Sequence, residues 1–417
     1  MAQSNRSFGN THQIRSLWIL KPDVLLLATM SGSERIERLR HLAEEGNEVF
    51  LVSANVDRGR FRNLDPKLSI ISIPSKQKSV YFTLLYGLAL IFLSPFYILK
   101  HKPKVIVSDL ITTPFLFLDV ILTRILGVKM ILDVRSTPVG DDTPAGRRNR
   151  RFFRASMWIA KSLFNGMTIV TSMMRDEICH TFSINPQWTS ILSNGISEEF
   201  LVPCRNDKQR FIREELSLSN KFVVIYHGGF RLTGGLVESV KAIGFLKRKY
   251  PDIVLLLLGK GYKEVEDLLK KTIKENNLEN NVIIHSPVEF QEVPNYVSMS
   301  DVGLVPLPNI ETWRYQQPIK LLEYLSMNKT VIVTDSPSHR PIVGNGKNAI
   351  YIPVVTPTEI ARAIEYAYCN RCRLKEWGSI GRDIIVKRYI WKKLNQELIA
   401  YFQDVIQSKN GRAATLR

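Results

Sequence analysis

Short runs of β-branched and leucine-rich residues recur along this chain, bounded by turn residues and separated by segments of helical period. In the first half they predict strands over residues 24–30, 48–54, 68–74, 105–109, 130–134, 167–172 and 190–194. Helix-period segments at 34–45, 80–99, 115–126, 152–164 and 173–181 lie between them. The pattern then repeats, with strands predicted over 222–227, 253–259, 282–285, 302–306, 330–334 and 349–353. Helices are predicted over 236–249, 263–275, 293–298, 320–327 and 358–368. Continuously apolar strands are buried on both faces, so this alternation predicts two α/β domains with doubly wound, Rossmann-like parallel sheets. The polar stretch 205–221 between them is read as a linker, and 373–407 as helical with Trp391 and Tyr401 as anchors. Two such domains face each other across a cleft at the carboxyl ends of their strands, where open sheets of this kind take ligands.

A length of 417 residues fits two domains. The net charge of +18 is spread over both halves and keeps nucleic acid, anionic membrane and phosphorylated small molecules open as partners. No helix-turn-helix or zinc-finger pattern is present, so nucleic acid is not expected. Cys179, Cys204, Cys369 and Cys372 are too few for a disulfide framework, and the Cys369/Cys372 pair has no second pair beside it. A reducing, cytosolic setting is expected. Residues 1–16 are polar and lack a signal-peptide core.

One segment raises the membrane question. Residues 79–99 carry no charge and are long enough to cross a bilayer. Strand-like runs on both sides must share one sheet, which excludes a true span. What remains is a buried crossover helix or one half-sunk in the membrane surface, and the flanking Lys76, Lys78, Lys100, His101, Lys102 and Lys104 favour the second. Between residues 143 and 175, Arg147, Arg148, Arg150, Arg151 and Arg154 alternate with Phe152, Phe153, Met157 and Trp158. This basic-aromatic face suits an anionic membrane, with Arg147, Arg148, Arg150, Arg151, Phe152 and Trp158 as docking residues; a merely solvated face is the alternative.

Candidate chemistry gathers in the second half. Lys320 and Glu323 stand three apart at a predicted helix start and share a face. A cation and a helix N-terminus favour phosphate, and a carboxylate accepts from sugar hydroxyls. After His227, residues Gly228–Gly235 hold four glycines in eight with Arg231 among them, which close backbone approach to a diphosphate would explain. Gly32 in the turn 30–35 and Gly259 in the turn 259–262 follow predicted strands in the same way. His227 and His285 each close a strand at the presumed cleft. No G-x-S-x-G, Walker or H-E-x-x-H motif occurs, and no metal site is expected.

Taken in order, these pieces resemble glycosyltransferase family 4, the retaining nucleotide-sugar transferases of GT-B fold. The first strand–turn–helix with residues 45–49, the Asn194-Gly195-Ile196 segment, the glycine-rich 227–236 stretch, residues 281–288 and 299–306, and Pro318-Ile-Lys-Leu-Leu-Glu-Tyr324 carry the resemblance. Glu323 matches the family's ribose-binding Glu, Tyr315 stands where its first Glu would be, and Gly229 and Gly234 replace its diphosphate-clamping Arg and Lys. The resemblance implies domains at 1–204 (acceptor and membrane) and 205–388 (nucleotide-sugar), with the segment 389–417 crossing back to the first domain. It implies retention without metal or cofactor, the nucleotide-sugar being a co-substrate. Donor contacts are then expected from Gly32, Gly228, Gly229, Arg231, Gly259, Val288, Lys320, Leu321 and Glu323. Arg231 and Lys320 supply charge to the diphosphate, and Asp133 and Arg135 position acceptor or donor.

The expected activity is therefore transfer of a sugar to a lipid-linked or surface-glycan acceptor by a peripheral protein on the cytoplasmic face of the membrane. A catalytically silent nucleotide-sugar-binding protein and a sugar-nucleotide epimerase on the same fold stay open beside it.

Overall fold

The structure, a computed structural model, describes residues 13–20, 33–54, 67–73, 82–138, 144–343 and 348–408. The first sheet holds β1 (Arg15–Ile19), β2 (Glu48–Ala54), β3 (Leu68–Ile73), β4 (Val105–Asp109), β5 (Lys129–Val134), β6 (Gly166–Ile169) and β7 (Thr189–Ile191). Their order is β3-β2-β1-β4-β5-β6-β7, all parallel. The second sheet holds β8 (Phe222–Phe230), β9 (Ile253–Gly261), β10 (Val282–His285), β11 (Val302–Val305), β12 (Val331–Thr334) and β13 (Ala349–Ile352). Its order, β10-β9-β8-β11-β12-β13, is again parallel throughout. In both sheets the order reverses beside the first strand, which opens a crevice at the carboxyl ends of the strands there. The expected fold class is the observed one.

Four differences from the sequence reading have physical causes. The strand β1 is Arg15–Ile19, an apolar run that the longer run at 24–30 eclipses; residues 24–30 and Gly32 lie outside the described residues. The stretch 205–221 is not plain linker, because Asn206–Glu215 is a helix that buries Ile212 against the second domain. The basic segment is one long helix, Pro144–Leu163, so all its arginines are helical. The strands β8 and β9 run on through Gly228, Gly229 and Gly259, so these glycines pair across strands rather than forming loops.

The Phe82–His101 helix has the length and hydropathy of a membrane span. Tyr86, Gly87, Leu90, Ser94 and Ile98 nevertheless form one buried stripe at helical spacing. Tyr86 Oη donates to the carbonyls of Leu20 (2.9 Å) and Val52 (3.2 Å), fixing the helix to the sheet it bridges. The terminal helix Trp391–Gln407 leaves the second domain and packs on the first through Leu398, Ile399, Phe402 and Val405. Tyr401 Oη accepts from Met167 N (2.9 Å) and donates to Trp188 O (3.0 Å), giving the buried phenol partners on β6 and beside β7.

Candidate functional site

The helix Ile319–Ser326 is amphipathic: Leu321, Leu322, Tyr324 and Leu325 enter the core, and Lys320 and Glu323 share the other side. Leu321, expected at the donor, is fully buried, so its side chain belongs to the core. Glu323 is buried, and its Oε2 lies 3.1 Å from His227 Nε2 at the end of β8. Tyr324 Oη accepts from His227 N (3.0 Å), and the two rings meet edge to face at 5.0 Å. Helix and strand are thereby locked together.

The Lys320 ammonium sits 3.5 Å from the centre of the Tyr226 ring, on the negative face that attracts cations. Burial lowers its pKa to about 7; Glu323 opposes that fall and Arg231 adds to it. Beside the ammonium, a Cβ on Gly228 would lie only 3.6 Å from Nζ. Gly259 has φ +149° and lies so close to the Gly228 carbonyl that a Cβ would come within 2.0 Å of it. Bare backbone and a half-buried cation therefore converge at the end of β8 and β9. Arg231 is exposed at the rim, and Trp313 Nε1 donates to Thr233 O (2.8 Å), holding the turn after β8. Gly229 is exposed and accepts from Tyr226 Oη (2.9 Å) through its carbonyl. Val288 packs half-buried against the adjoining core, and His285 is taken up by Ser286 O (2.7 Å).

In the first domain the candidates Asp133 and Arg135 are bound to each other. Arg135 Nε donates to Asp133 Oδ2 (2.9 Å), and Thr168 Oγ1 to Asp133 Oδ1 (2.7 Å). Burial raises the Asp133 pKa against the pull of Arg35 and Arg38. Arg135 Nη1 also donates to Leu192 O (2.7 Å) and Asn194 Oδ1 (3.3 Å). Asn194 in turn donates from N to Gln317 Oε1 (2.6 Å) and from Nδ2 to Gln317 O (3.0 Å), three residues ahead of Lys320. A continuous hydrogen-bonded line thus runs from β5 to the Lys320 helix. Arg35 and Arg38, which the sequence reading missed, complete this end: Arg35 pairs with Asp109 (3.1 Å), and Arg38 donates to Ser193 O (2.6 Å). Their spacing after a predicted strand was the available signal.

Tyr315 also bridges the domains. Its carbonyl accepts from Thr171 Oγ1 (2.9 Å) and its hydroxyl donates to Glu177 Oε2 (3.1 Å). Of the basic-aromatic helix, Arg147, Arg148 and Arg151 are exposed and Arg150 is half-buried. Trp158 is exposed, whereas Phe152 turns inward, 6.3 Å from Phe115, and so does not stand out as a docking residue. Instead Leu84, Leu85, Leu88, Phe92, Phe96 and Leu99 lie exposed on the Phe82–His101 helix. Phe117, Ile121, Ile125 and Leu126 lie exposed on the helix Phe117–Leu126, which packs beside it. Ser94 Oγ donates to the buried Asp119 Oδ2 (2.7 Å) between the two. Among the described residues no three His, Cys, Asp or Glu side chains gather as metal ligands would.

Two facing parallel α/β domains, with a cation and bare backbone at the carboxyl end of the second sheet, define the GT-B architecture. Residues 207–383, most of the second domain, match the family described as glycosyl transferases group 1. The alpha-D-kanosaminyltransferase of Streptomyces kanamyceticus is 22% identical over 253 residues, 60% of this chain and 64% of that protein. The chain spans 49% to 64% of the lengths of the curated relatives it matches. A glycosyltransferase from Rickettsia africae superposes over 95% of this chain and 100% of its own, with TM-score 0.75 and 15% identity. The Anabaena protein HepE, solved in complex with UDP-glucose, covers 93% of this chain and 98% of its own, with TM-score 0.71 and 13% identity.

Proposed function

We propose that this protein transfers a sugar from a nucleoside-diphosphate donor to a lipid-linked or surface-glycan acceptor at the cytoplasmic membrane face, with retention and without metal. The observation that carries the reading is the convergence of Lys320, Glu323 and the paired glycines Gly228 and Gly259 at one sheet end. The HepE complex with UDP-glucose and the match to glycosyl transferases group 1 support a nucleotide-sugar donor. In this reading Lys320 and Arg231 hold the diphosphate, and Glu323, oriented by His227, accepts from the ribose. As the bond from the anomeric carbon to the diphosphate breaks, the bond to the acceptor oxygen forms and the hydroxyl proton leaves toward the departing diphosphate. Charge develops on that leaving group, and a preorganised cation there acts where it lowers the barrier most. Asp133 and Arg135 brace the first-domain side of the cleft, their hydrogen-bonded line ending on Gln317, and make no contact to the nucleotide in this reading.

The two exposed apolar helices support peripheral docking on the membrane. Burial of a large apolar side chain gives about 1.5–3 kcal/mol when complete, against about 1 kcal/mol for a basic residue near an anionic surface. The apolar face is therefore the main contact, and Arg124, Lys100 and Lys102, all exposed near it, are the lesser one.

Incubating the protein with labelled nucleotide-sugars and a membrane lipid extract tests the reading. Label in the lipid fraction, lost in Glu323→Ala, is the expected result. Nucleotide binding without turnover would instead establish the silent reading, which the bonding of Tyr315 to Glu177 at the position of the family's first Glu favours.

A further inference from the structure

Two cavities adjoin on the first domain and differ in chemistry. The first, of about 500 Å³, is lined mainly by Leu84, Leu110, Ile111, Phe115, Phe152 and Phe153, with Arg148 and Asn149 also on its wall. The second encloses about 930 Å³ and is lined by Arg147, Arg150, Arg151, Arg154 and, from the second domain, Arg314, with Glu177 and Glu311 as its carboxylates. Thr137, Pro138 and Phe153 line both, so the two share a wall just beyond the end of β5. The Thr137 Oγ1 is shielded from solvent and has no hydrogen-bond partner among the described residues. Leu84 belongs at once to the apolar cavity and to the exposed face of the Phe82–His101 helix, so the cavity opens onto the surface read above as membrane-facing. Tyr315 and Arg314 of the basic cavity stand in the segment that leads to Lys320.

We infer that these adjoining cavities form one site for an amphiphilic lipid phosphate, with its hydrocarbon chain among Leu84, Ile111, Phe115 and Phe152 and its phosphate among Arg151, Arg154 and Arg314. The inference rests on the transferase reading, whose acceptor class it narrows to lipid-linked. Both volumes lie within the usual range of ligand pockets, and among the described lining residues Arg151, Arg154 and Arg314 outnumber the carboxylates Glu177 and Glu311. A surface glycan would use the basic cavity and leave the apolar one without an occupant. A neutral lipid would bring no anion to the basic cavity.

Equilibrium binding to the full chain in neutral detergent, with labelled geranylgeranyl phosphate, geranylgeraniol and inorganic phosphate as probes, decides between these occupants. The lipid phosphate is expected to bind at least tenfold tighter than the alcohol and not to be displaced by millimolar inorganic phosphate. The double variant Arg151→Glu/Arg154→Glu removes that preference. Ile111→Trp, which fills the apolar cavity, weakens both lipid probes about tenfold, and Leu84→Glu at its exposed lip does the same should Ile111→Trp melt early. Equal binding of alcohol and phosphate, ready displacement by inorganic phosphate, or indifference to these substitutions would overturn the site. Titration of the same samples with UDP and GDP separates the two readings. Nucleotide binding kept while lipid phosphate fails sinks the acceptor site alone. Lipid phosphate bound without any nucleotide sinks the transferase reading instead.

Discussion

The carboxyl ends of the two sheets are built from the same topology and filled in opposite ways. At the end of the first sheet two ion pairs close, Arg35 with Asp109 and Arg135 with Asp133, while Arg38 donates to the Ser193 carbonyl and lies over the Trp391 ring. At the end of the second sheet Lys320 rests on an aromatic face, and glycine backbone stands where side chains would otherwise fill the space. The first arrangement is a brace, since its last link reaches Gln317 and the helix of Lys320. The second leaves a cation beside bare backbone, the arrangement on which the proposed donor site rests. A charged cluster at a sheet end is therefore not in itself a reaction centre; what its charges are already bound to decides its role.

The comparison breaks most sharply at Asp133. Removing it leaves Arg135 and its neighbours buried and uncompensated, so Asp133→Ala should lower stability by about 3–5 kcal/mol. Chemical denaturation reads this loss, while the nucleotide affinity of the folded fraction stays within about twofold. A stable variant with lost nucleotide binding would reverse the assignment of the two ends. Lys320→Ala makes the opposite prediction: a normal melt, with kcat/KM for transfer reduced roughly 100- to 1000-fold. Glu323→Gln should cost less, about ten- to a hundredfold in nucleotide affinity, because it keeps the shape and loses a charge-assisted hydrogen bond.

The pH dependence sharpens the same contrast. The Lys320 pKa falls to about 7 in the folded protein, against about 10.4 in an unfolded chain. Between those values the unfolded chain holds a proton that the folded one has released, so this group's contribution to stability rises with pH across that window. An anionic diphosphate favours the protonated ammonium. Nucleotide affinity should then be highest below about pH 7 and fall by up to tenfold per pH unit above it, with proton uptake on binding. Lys320→Gln should be flat over the same range. The smallest effect belongs to Asp119, which burial raises to about 7 beneath the exposed helices. Its contribution to stability is complete below about pH 4, where both states are protonated, and is lost as pH rises through about 7. Asp119→Asn should therefore flatten the melting temperature between pH 5 and 8.

Much of this was legible in the sequence because it rests on short-range periodicity. Lys320 and Glu323 could be paired from helix spacing, the glycines from their density, and the two sheets from the recurrence of apolar runs. What the sequence concealed depends on long-range partners. Nothing local distinguishes Asp133 in a brace from Asp133 at a reaction centre; the difference is Asn194 and Gln317, distant in the chain. Leu321 reads like its neighbours until the core that receives it is known. The Phe117–Leu126 helix looks like ordinary crossover, and its exposed isoleucines acquire meaning only beside Phe92 and Phe96. Phe152 shows the converse, a residue in a basic-aromatic pattern that turns inward toward Phe115.

Calorimetric titration of a panel of nucleoside diphosphates into the wild-type chain, Lys320→Ala and Asp133→Asn tests the central claim most directly. The account predicts that one of them binds the wild type with uptake of a proton above pH 7. It predicts at least tenfold weaker binding by Lys320→Ala and near wild-type binding by folded Asp133→Asn. Binding unchanged in Lys320→Ala, or no nucleotide bound by the wild type, would contradict it.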